Sequence, residues 1–338
     1  LMDATGKVLA HNDDNPDAMN IGLKTHHADS YLRHTLPRAG TYYLRVSDTR
    51  SEGSPAHGYR LRLGVARPDF QVYMVPSSLT LGAAERQVVT VHVDRKDGFT
   101  GPIQIDFASK TPGMEILGNT IPAGANKVMM VIAGPPRYVN SKNKPGKSKK
   151  KDNPIFGRVL PVSFRASATI DKRPLTRRVI PADDITQAFV LHHLVPAEQC
   201  LVALTKARHW PQQFLPAKPA PLSLVPGTTK VLQLAAPKGV LDSTTHTASF
   251  SLVNAPKGVT LKKAYIKDET MFVPIVVEAN SDAAKGFIGN LVLEAFQSRK
   301  PGKDPKTNKP TNTKANSVGP QPPIPCTIIA ERPAPKTK

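Results

Sequence analysis

The sequence predicts an all-β chain built of tandem β-sandwiches, and three observations predict it. Apolar and polar residues alternate in segment after segment, as where Tyr59, Leu61, Leu63 and Val65 are set between Arg60, Arg62 and Gly64. A period of two puts one face of a strand in a core and the other in water. Thirty-three prolines and twenty-two glycines in 338 residues break the chain too often for long helices, and short strands joined by turns fit better. The third observation is a repeated order of strands and turns in the two halves of the chain beyond residue 67.

The elements follow in order. Within residues 1–67, residues 7–10 and 31–36 read as short strands. Gly40-Thr-Tyr-Tyr-Leu-Arg-Val-Ser-Asp48 reads as a tight turn feeding a strand with Tyr42, Leu44 and Val46 on one face. Residues 49–58 are polar and form a long hairpin loop before the Tyr59 strand. Arg67-Pro-Asp-Phe70 breaks this pattern and marks a boundary.

A sandwich is expected over residues 68–182. Val89, Val91 and Val93 alternate with Thr90, His92 and Asp94, and Ile103, Ile105 and Phe107 follow the turn at residues 97–101. Residues 127–133 and 160–169 supply two further strands. A second sandwich, over 183–332, repeats the plan, and 333–338 is a tail. Gly82 corresponds to Gly227, residues 111–114 to 255–259, 121–133 to 266–279, and 162–168 to 290–296. Short strands at roughly 8–12-residue spacing are the mark of a sandwich. Between the copies, residues 178–189 read as a crossover strand that ends one sandwich and starts the next.

Charge and cysteine content narrow the function classes. Much of the formal net charge of +20 sits in two stretches poor in apolar residues, within the loops 137–157 and 298–323. The first holds Lys142, Lys144, Lys147, Lys149, Lys150 and Lys151; the second holds Arg299, Lys300, Lys303, Lys306, Lys309 and Lys314. Such loops bury little apolar area and act by diffuse charge. Neither lysine-rich stretch carries an aromatic to stack on a base, which argues against specific nucleic-acid recognition and favours an anionic polymer as ligand. No apolar run of roughly 18 residues is present, so no membrane span is expected. The first residue is Leu, so the coding sequence is expected to begin upstream, with any export signal there. Cys200 and Cys326 either pair in an oxidising compartment or sit as buried free thiols in strands, and the second reading is preferred.

No motif for catalysis stands out. G-x-S-x-G, H-E-x-x-H, a Walker loop and G-x-G-x-x-G are all missing, so no enzyme is expected. A hydrolytic reading would need a Ser, a His and an acid to converge in the fold. His26-His27 and His192-His193 are adjacent pairs, which on a strand point to opposite faces and do not share a metal. Asp183-Asp184 reads as structural capping. Trp210 reads as a packing residue rather than a sugar platform. The best metal candidate is Asp3, Asn12, Asp13, Asp14 and Asp17, on two loops flanking one short strand. Hard oxygen ligands of this kind suit Ca²⁺; ordinary Asx turns explain the same residues without it.

Leu1-x-Asp-Ala-x-Gly6, Leu9-Ala-x-Asn-Asp-Asp14, Ala28-Asp29, Leu36-Pro-x-x-Gly-Thr-Tyr-Tyr-Leu-Arg-Val-x-Asp48 and Tyr59-Arg-Leu61 together resemble the bacterial pre-peptidase C-terminal domain. That family implies a jelly-roll-like sandwich beside secreted peptidases or in large surface proteins, with Ca²⁺ in some members. The resemblance covers residue 1 to about residue 65 and matches the second half of the pattern, so residues 1–67 are expected to be a partial sandwich. Only Asp13 and Asp14 match the family's loop. The remainder resembles the immunoglobulin-like repeats of large secreted bacterial proteins, on Pro68-Asp-Phe70, Arg95-x-x-Gly-Phe-x-Gly101, Pro181-Ala182 and His193-Leu-Val-Pro-Ala197. These resemblances imply a non-catalytic binding or spacer region that is extracellular, on the cell surface or periplasmic. Its partners would be upstream domains of the same polypeptide and an extracellular polysaccharide or protein. The alternatives are an accessory region of a secreted hydrolase whose catalytic domain lies upstream, and capture of anionic polymers by the basic loop.

Overall fold

The computed structural model describes residues 1–13, 30–48, 50, 52–109, 111, 113–140, 150–187, 191–206, 213–217, 221–235, 246–268, 270–279, 286–299 and 315–329. Every regular element among them is a strand. No helix is long and apolar enough to cross a membrane.

The N-terminal segment contributes β1 (Met2–Asp3) and β2 (Tyr42–Tyr43), which pair antiparallel, and an isolated bridge from Met2 to Val8. No sandwich forms among the described residues of this segment. The strands expected at 31–36 and 59–65 are unpaired, and Tyr59 and Val65 are 77% and 80% exposed. The period-two pattern of 59–65 is that of a strand with a buried face, but among the described residues no strand pairs with it or covers that face. Asp97 tethers the segment to the first sandwich. Its carboxylate accepts the backbone N–H of Arg67 at 2.8 Å and the Tyr31 hydroxyl at 2.8 Å. Those two bonds, in that order, hold the carboxyl below its usual range.

The first sandwich comprises β3 (Asp69–Val75), β4 (Ser78–Leu81), β5 (Arg86–Lys96), β6 (Ile103–Phe107), β7 (Glu115–Leu117), β8 (Thr120–Ile121) and β9 (Lys127–Ala133). It continues with β10 (Tyr138–Asn140), β11 (Lys150–Asp152), β12 (Arg158–Val162), β13 (Phe164–Ile170), β14 (Arg173–Gln187), β15 (Leu191–Pro196) and β16 (Cys200–Leu204). Strand pairing runs β7-β9-β5-β3-β14-β13-β6-β8, with β14 bridging the β3-β5-β9-β7 face to the β13-β6-β8 face, and β12-β16-β4 forms a separate three-stranded sheet that continues the second face through the β12–β13 strand. These are the A-B-E-D and C-F-G sheets of an immunoglobulin-like sandwich. β4 adds parallel to β16 at the edge, with Leu201 opposite Ser78. Val72, Val91, Ile103, Ile105, Ile132, Phe164 and Val202 fill the space between the sheets at 0–2% exposure.

The Asp97-Gly98 turn after β5 has both residues at positive φ, 50° and 82°, and closes with the Phe99 N–H on the Lys96 carbonyl at 3.1 Å. That is a type I′ turn, for which Asp-Gly is a preferred pair. Arg95, noted in the sequence, fixes the loops beyond it. Its guanidinium donates to the carbonyls of Gly101, Pro122 and Ala125.

The boundary expected after residue 182 moves. β14 pairs first with β13, then runs parallel to β3 at Val179–Pro181, then forms a hairpin with β15. The chain returns as β16, which pairs with β12 and β4 and carries the buried Cys200. Residues 183–204 therefore complete the first sandwich. A sandwich needs its last strand to satisfy the edge of the strand before it, and only β16 does this for β12.

The second sandwich comprises β17 (Leu215–Pro216), β18 (Leu222–Leu224), β19 (Thr229–Ala235), β20 (His246–Val253), β21 (Val259–Leu261), β22 (Tyr265–Lys267), β23 (Thr270–Val277), β24 (Ile288–Arg299), β25 (Asn316–Pro320) and β26 (Ile324–Ile328). Its sheets are β17-β19-β23-β21 and β18-β26-β24-β20, with β18 again parallel to β26. The order of the main strands repeats that of the first, so Gly82 and Gly227, β9 and β23, and β13 and β24 are equivalent; residues 121 and 266 are not, because β8 pairs with β6 whereas β22 pairs with β23. Both cysteines lie on the last strand of their own sandwich, Cys200 on β16 and Cys326 on β26, and both are free.

Candidate functional site

The acidic N-terminal residues do not assemble a cation site among the described residues. The Asp3 carboxylate accepts from the Thr5 hydroxyl at 2.6 Å and from the N–H groups of Thr5 and Lys7. It closes its own turn, and the Thr5 hydroxyl leads the bonds that lower its pKa. Asn12 Oδ1 accepts the Tyr31 N–H at 2.8 Å, and the Asp13 carbonyl accepts the Ser30 hydroxyl at 2.6 Å. Asp14 and Asp17 lie outside the described residues, as do His26, His27 and Trp210.

Of the basic loop, Lys142, Lys144, Lys147 and Lys149 also lie outside the described residues. The structure places their flanks. Tyr138–Asn140 pairs in register with Lys150–Asp152, so residues 141–149 join the two strands of a hairpin that also carries Lys150 and Lys151.

Groups with nucleophile or base chemistry are held in structural roles. Ser54 and His57 Nδ1 are hydrogen-bonded at 2.9 Å, but both are exposed in one turn, and among the described residues no carboxylate completes a triad. Asp183 accepts the Ser77 N–H and hydroxyl at 3.0 and 2.7 Å, which ties β14 to the start of β4. It caps a strand connection rather than a helical turn. Burial pushes the Cys200 thiol up to about 11 and the Cys326 thiol up to about 12, so neither is a ready nucleophile. On the outer face of β5, burial drives His92 down to about 4. Lys127 adds to that shift and Asp184 opposes it.

Two arrangements remain that sequence reading missed. The first is a seam between the sandwiches. Val88, Leu117, Met129 and Val131 of the first pack against Val253 and Val292 of the second. Asn290, 3% exposed, donates from Nδ2 to the Met129 carbonyl at 2.8 Å and to the Gly118 carbonyl at 3.1 Å. On β9, Val128, Met130 and Ile132 face the first core while Met129 and Val131 face the seam. The sandwiches thus stack sheet on sheet. The apolar runs Val128 to Ala133 and Leu291 to Leu293 carry the signal, because a strand buried on both faces loses its alternation.

The second is a cleft at the fork where β14 leaves β13 and β16 arrives. Ser163 breaks the strand between β12 and β13, and the gap is lined by Pro161, Ser163, Arg165, Arg178, Glu198 and Gln199, among others. Arg165 and Arg178 are register partners across β13 and β14, and both are exposed. Arg177, also in the lining, is held by Asp69, Nε to Oδ1 at 3.0 Å and Nη2 to Oδ2 at 2.9 Å. The juxtaposition of Arg165 and Arg178 depends on register, which no local pattern in the sequence carries.

No family model matches the chain, and no curated protein matches it. Among solved structures, it is similar to domains 4–9 of the surface layer protein SbsC, at 10% identity over 78% of this chain, with a TM-score of 0.27. It spans 32% of that chain's length. It is similar to the fibronectin(III)-like modules of Clostridium thermocellum CbhA at 8% identity, over 77% of this chain and 94% of the other, with a TM-score of 0.20. A marsupial T cell receptor matches at 9% identity over 74% and 99%, also with a TM-score of 0.20.

Proposed function

We propose that this chain is a binding and spacing region of a secreted or cell-surface protein, with no catalysis of its own. The observation that carries the proposal is the seam. Two sandwiches joined by a flexible linker alone would swing, whereas a buried apolar contact bridged by Asn290 holds them as one unit. A unit of that kind sets a fixed distance and direction between whatever its surfaces and ends carry. Small-angle scattering tests this: one fixed arrangement should fit the data. Scattering that demands a broad range of relative orientations overturns the spacing role. Turnover of peptide or glycan substrates by the purified chain overturns the non-catalytic role.

A specific observation favours a binding role for the first basic loop. Its flanking strands, Tyr138–Asn140 and Lys150–Asp152, pair in register, and the lysine-rich residues 141–149 lie between them in the chain. Diffuse positive charge of this kind attracts anionic polymers and weakens with salt. In its narrowest form, the proposal makes the chain an accessory region of a secreted peptidase or other hydrolase. That form rests on the resemblance of residues 1–65 alone.

A further inference from the structure

We infer that the fork between β13, β14 and β16 binds the carboxylate or sulfate groups of an acidic polysaccharide, through Arg165 and Arg178. The inference rests on the proposed binding role and assigns it a site distinct from the lysine loop. Directly opposed residues on neighbouring antiparallel strands have Cβ atoms about 4.5–5.5 Å apart, and like charges there repel. Arg165 and Arg178 occupy such a pair on the solvent face of β13 and β14.

One acid stands in position to offset the repulsion. Asp106 stands opposite Arg165 on its other side, in register on β6, but forms no ion pair with it among the described contacts. Arg178 donates from Nη2 to the backbone carbonyl of Glu198, which orients the guanidinium without neutralising it. Arg177, next along β14, is fully engaged by Asp69. Two guanidinium forks on one side of an open cleft, neither held in an ion pair among the described residues, are suited to oxyanions. A guanidinium binds a carboxylate or sulfate through two parallel N–H bonds, and a bound anion converts the repulsive pair into a bridged one.

The rest of the lining favours a glycan over other polyanions. Ser163, Thr176 and Gln199 present hydroxyl and amide groups around the arginines, as sugar hydroxyls require. The one aromatic in the lining, Phe164, is buried in the core at 2% exposure, so no ring is free to stack on a base.

The test is calorimetric titration of the full chain at about 0.15 M salt, where exposed loop charge is screened within about 8 Å, with a heparin-derived hexasaccharide, which carries sulfates, and an oligogalacturonate hexamer, which carries only carboxylates. Arg165→Ser and Arg178→Ser should each weaken binding of the preferred glycan by about tenfold, the loss expected for one charge-assisted fork. Glu198→Gln should tighten it by removing the one acid in the lining. Deletion of residues 141–149 should leave the affinity within about threefold, since screened loop charge acts diffusely. Both arginines are exposed, so the serine variants should keep the wild-type unfolding midpoint or exceed it. Binding unchanged in the double serine variant overturns the site, as does failure of the wild type to bind either glycan. Loss of binding on loop deletion but not in the serine variants moves the polymer site to the lysines. Equal, arginine-dependent binding of poly-glutamate overturns the assignment to a glycan. None of these results bears on the scattering that tests the spacing role or on the turnover measurement that tests the non-catalytic role.

Discussion

Asn290→Ala should uncouple the two sandwiches. The amide is 3% exposed and spends both Nδ2 protons on carbonyls of the other sandwich, those of Met129 and Gly118. A net hydrogen bond contributes about 1 kcal/mol, and a buried acceptor left without a donor costs about 1–3 kcal/mol. Truncation to Ala removes both bonds and opens a small void beside Val292, so the loss should total about 2–4 kcal/mol. That loss should fall on docking and not on either core, because the residues of the two cores lie elsewhere on β9 and β24. Urea unfolding followed by far-ultraviolet circular dichroism reads it. The wild type should unfold in one transition, and the variant in two, with the less stable sandwich unfolding earlier. Asn290→Asp should be worse at neutral pH, since a carboxylate would face two carbonyl oxygens, and should recover as the pH falls and the carboxyl protonates. A single transition within about 0.5 kcal/mol of the wild type in Asn290→Ala would refute the assignment of the seam to this residue.

Other expectations follow from the same coordinates. His92 is held near pKa 4 against a usual 6.5, so the unfolded chain takes up the proton first. Stability should be complete above pH 6.5 and fall as the pH drops towards 4, by at most about 3 kcal/mol; His92→Gln should flatten that segment, and an unaltered pH profile would exclude the group. Cys200 and Cys326 should resist alkylation in the native chain, react on denaturation, and show no disulfide by intact mass; rapid native labelling would contradict their burial. Gly134→Ala should cost about 1–3 kcal/mol, because a Cβ there would lie 2.4 Å from the Gly82 carbonyl oxygen. A neutral result in thermal unfolding would mean that the β4–β5 turn gives way freely.

How much of this was legible in the chain depends on the range of the interaction. Val89, Val91 and Val93, like Ile103 and Ile105, alternate in sequence and face one core in the structure, because strand periodicity is set by the backbone itself. The matched turns at Gly82 and Gly227 fall at equivalent places for the same reason. In sequence, residues 178–187 carry the pattern of any strand, and pairing alone shows that β14 belongs to the first sandwich and that β16 returns to close it. Residues 59–65 show the limit from the other side. Their alternation is that of a buried strand, but alternation states what a strand can bury and supplies nothing to bury it against. The acidic N-terminal residues have the ligand type for Ca²⁺; of them, Asp3 and Asn12 accept backbone amides within their own segment, and Asp14 and Asp17 lie outside the described residues.

Local patterning is enough to set the class of this protein: its strands, its turns and the repetition of one sandwich plan. These follow from period-two patterning and turn chemistry, which act between residues close in the chain. Only the tertiary structure decided which strands share a sheet, where the first sandwich ends, that Asn290 locks the two sandwiches face to face, and that Arg165 meets Arg178. Those features depend on register and docking between segments up to 172 residues apart, as in the bond from Asn290 to Gly118. Contacts at that range are chosen by the fit of whole faces, and no local window of sequence contains both sides of the fit.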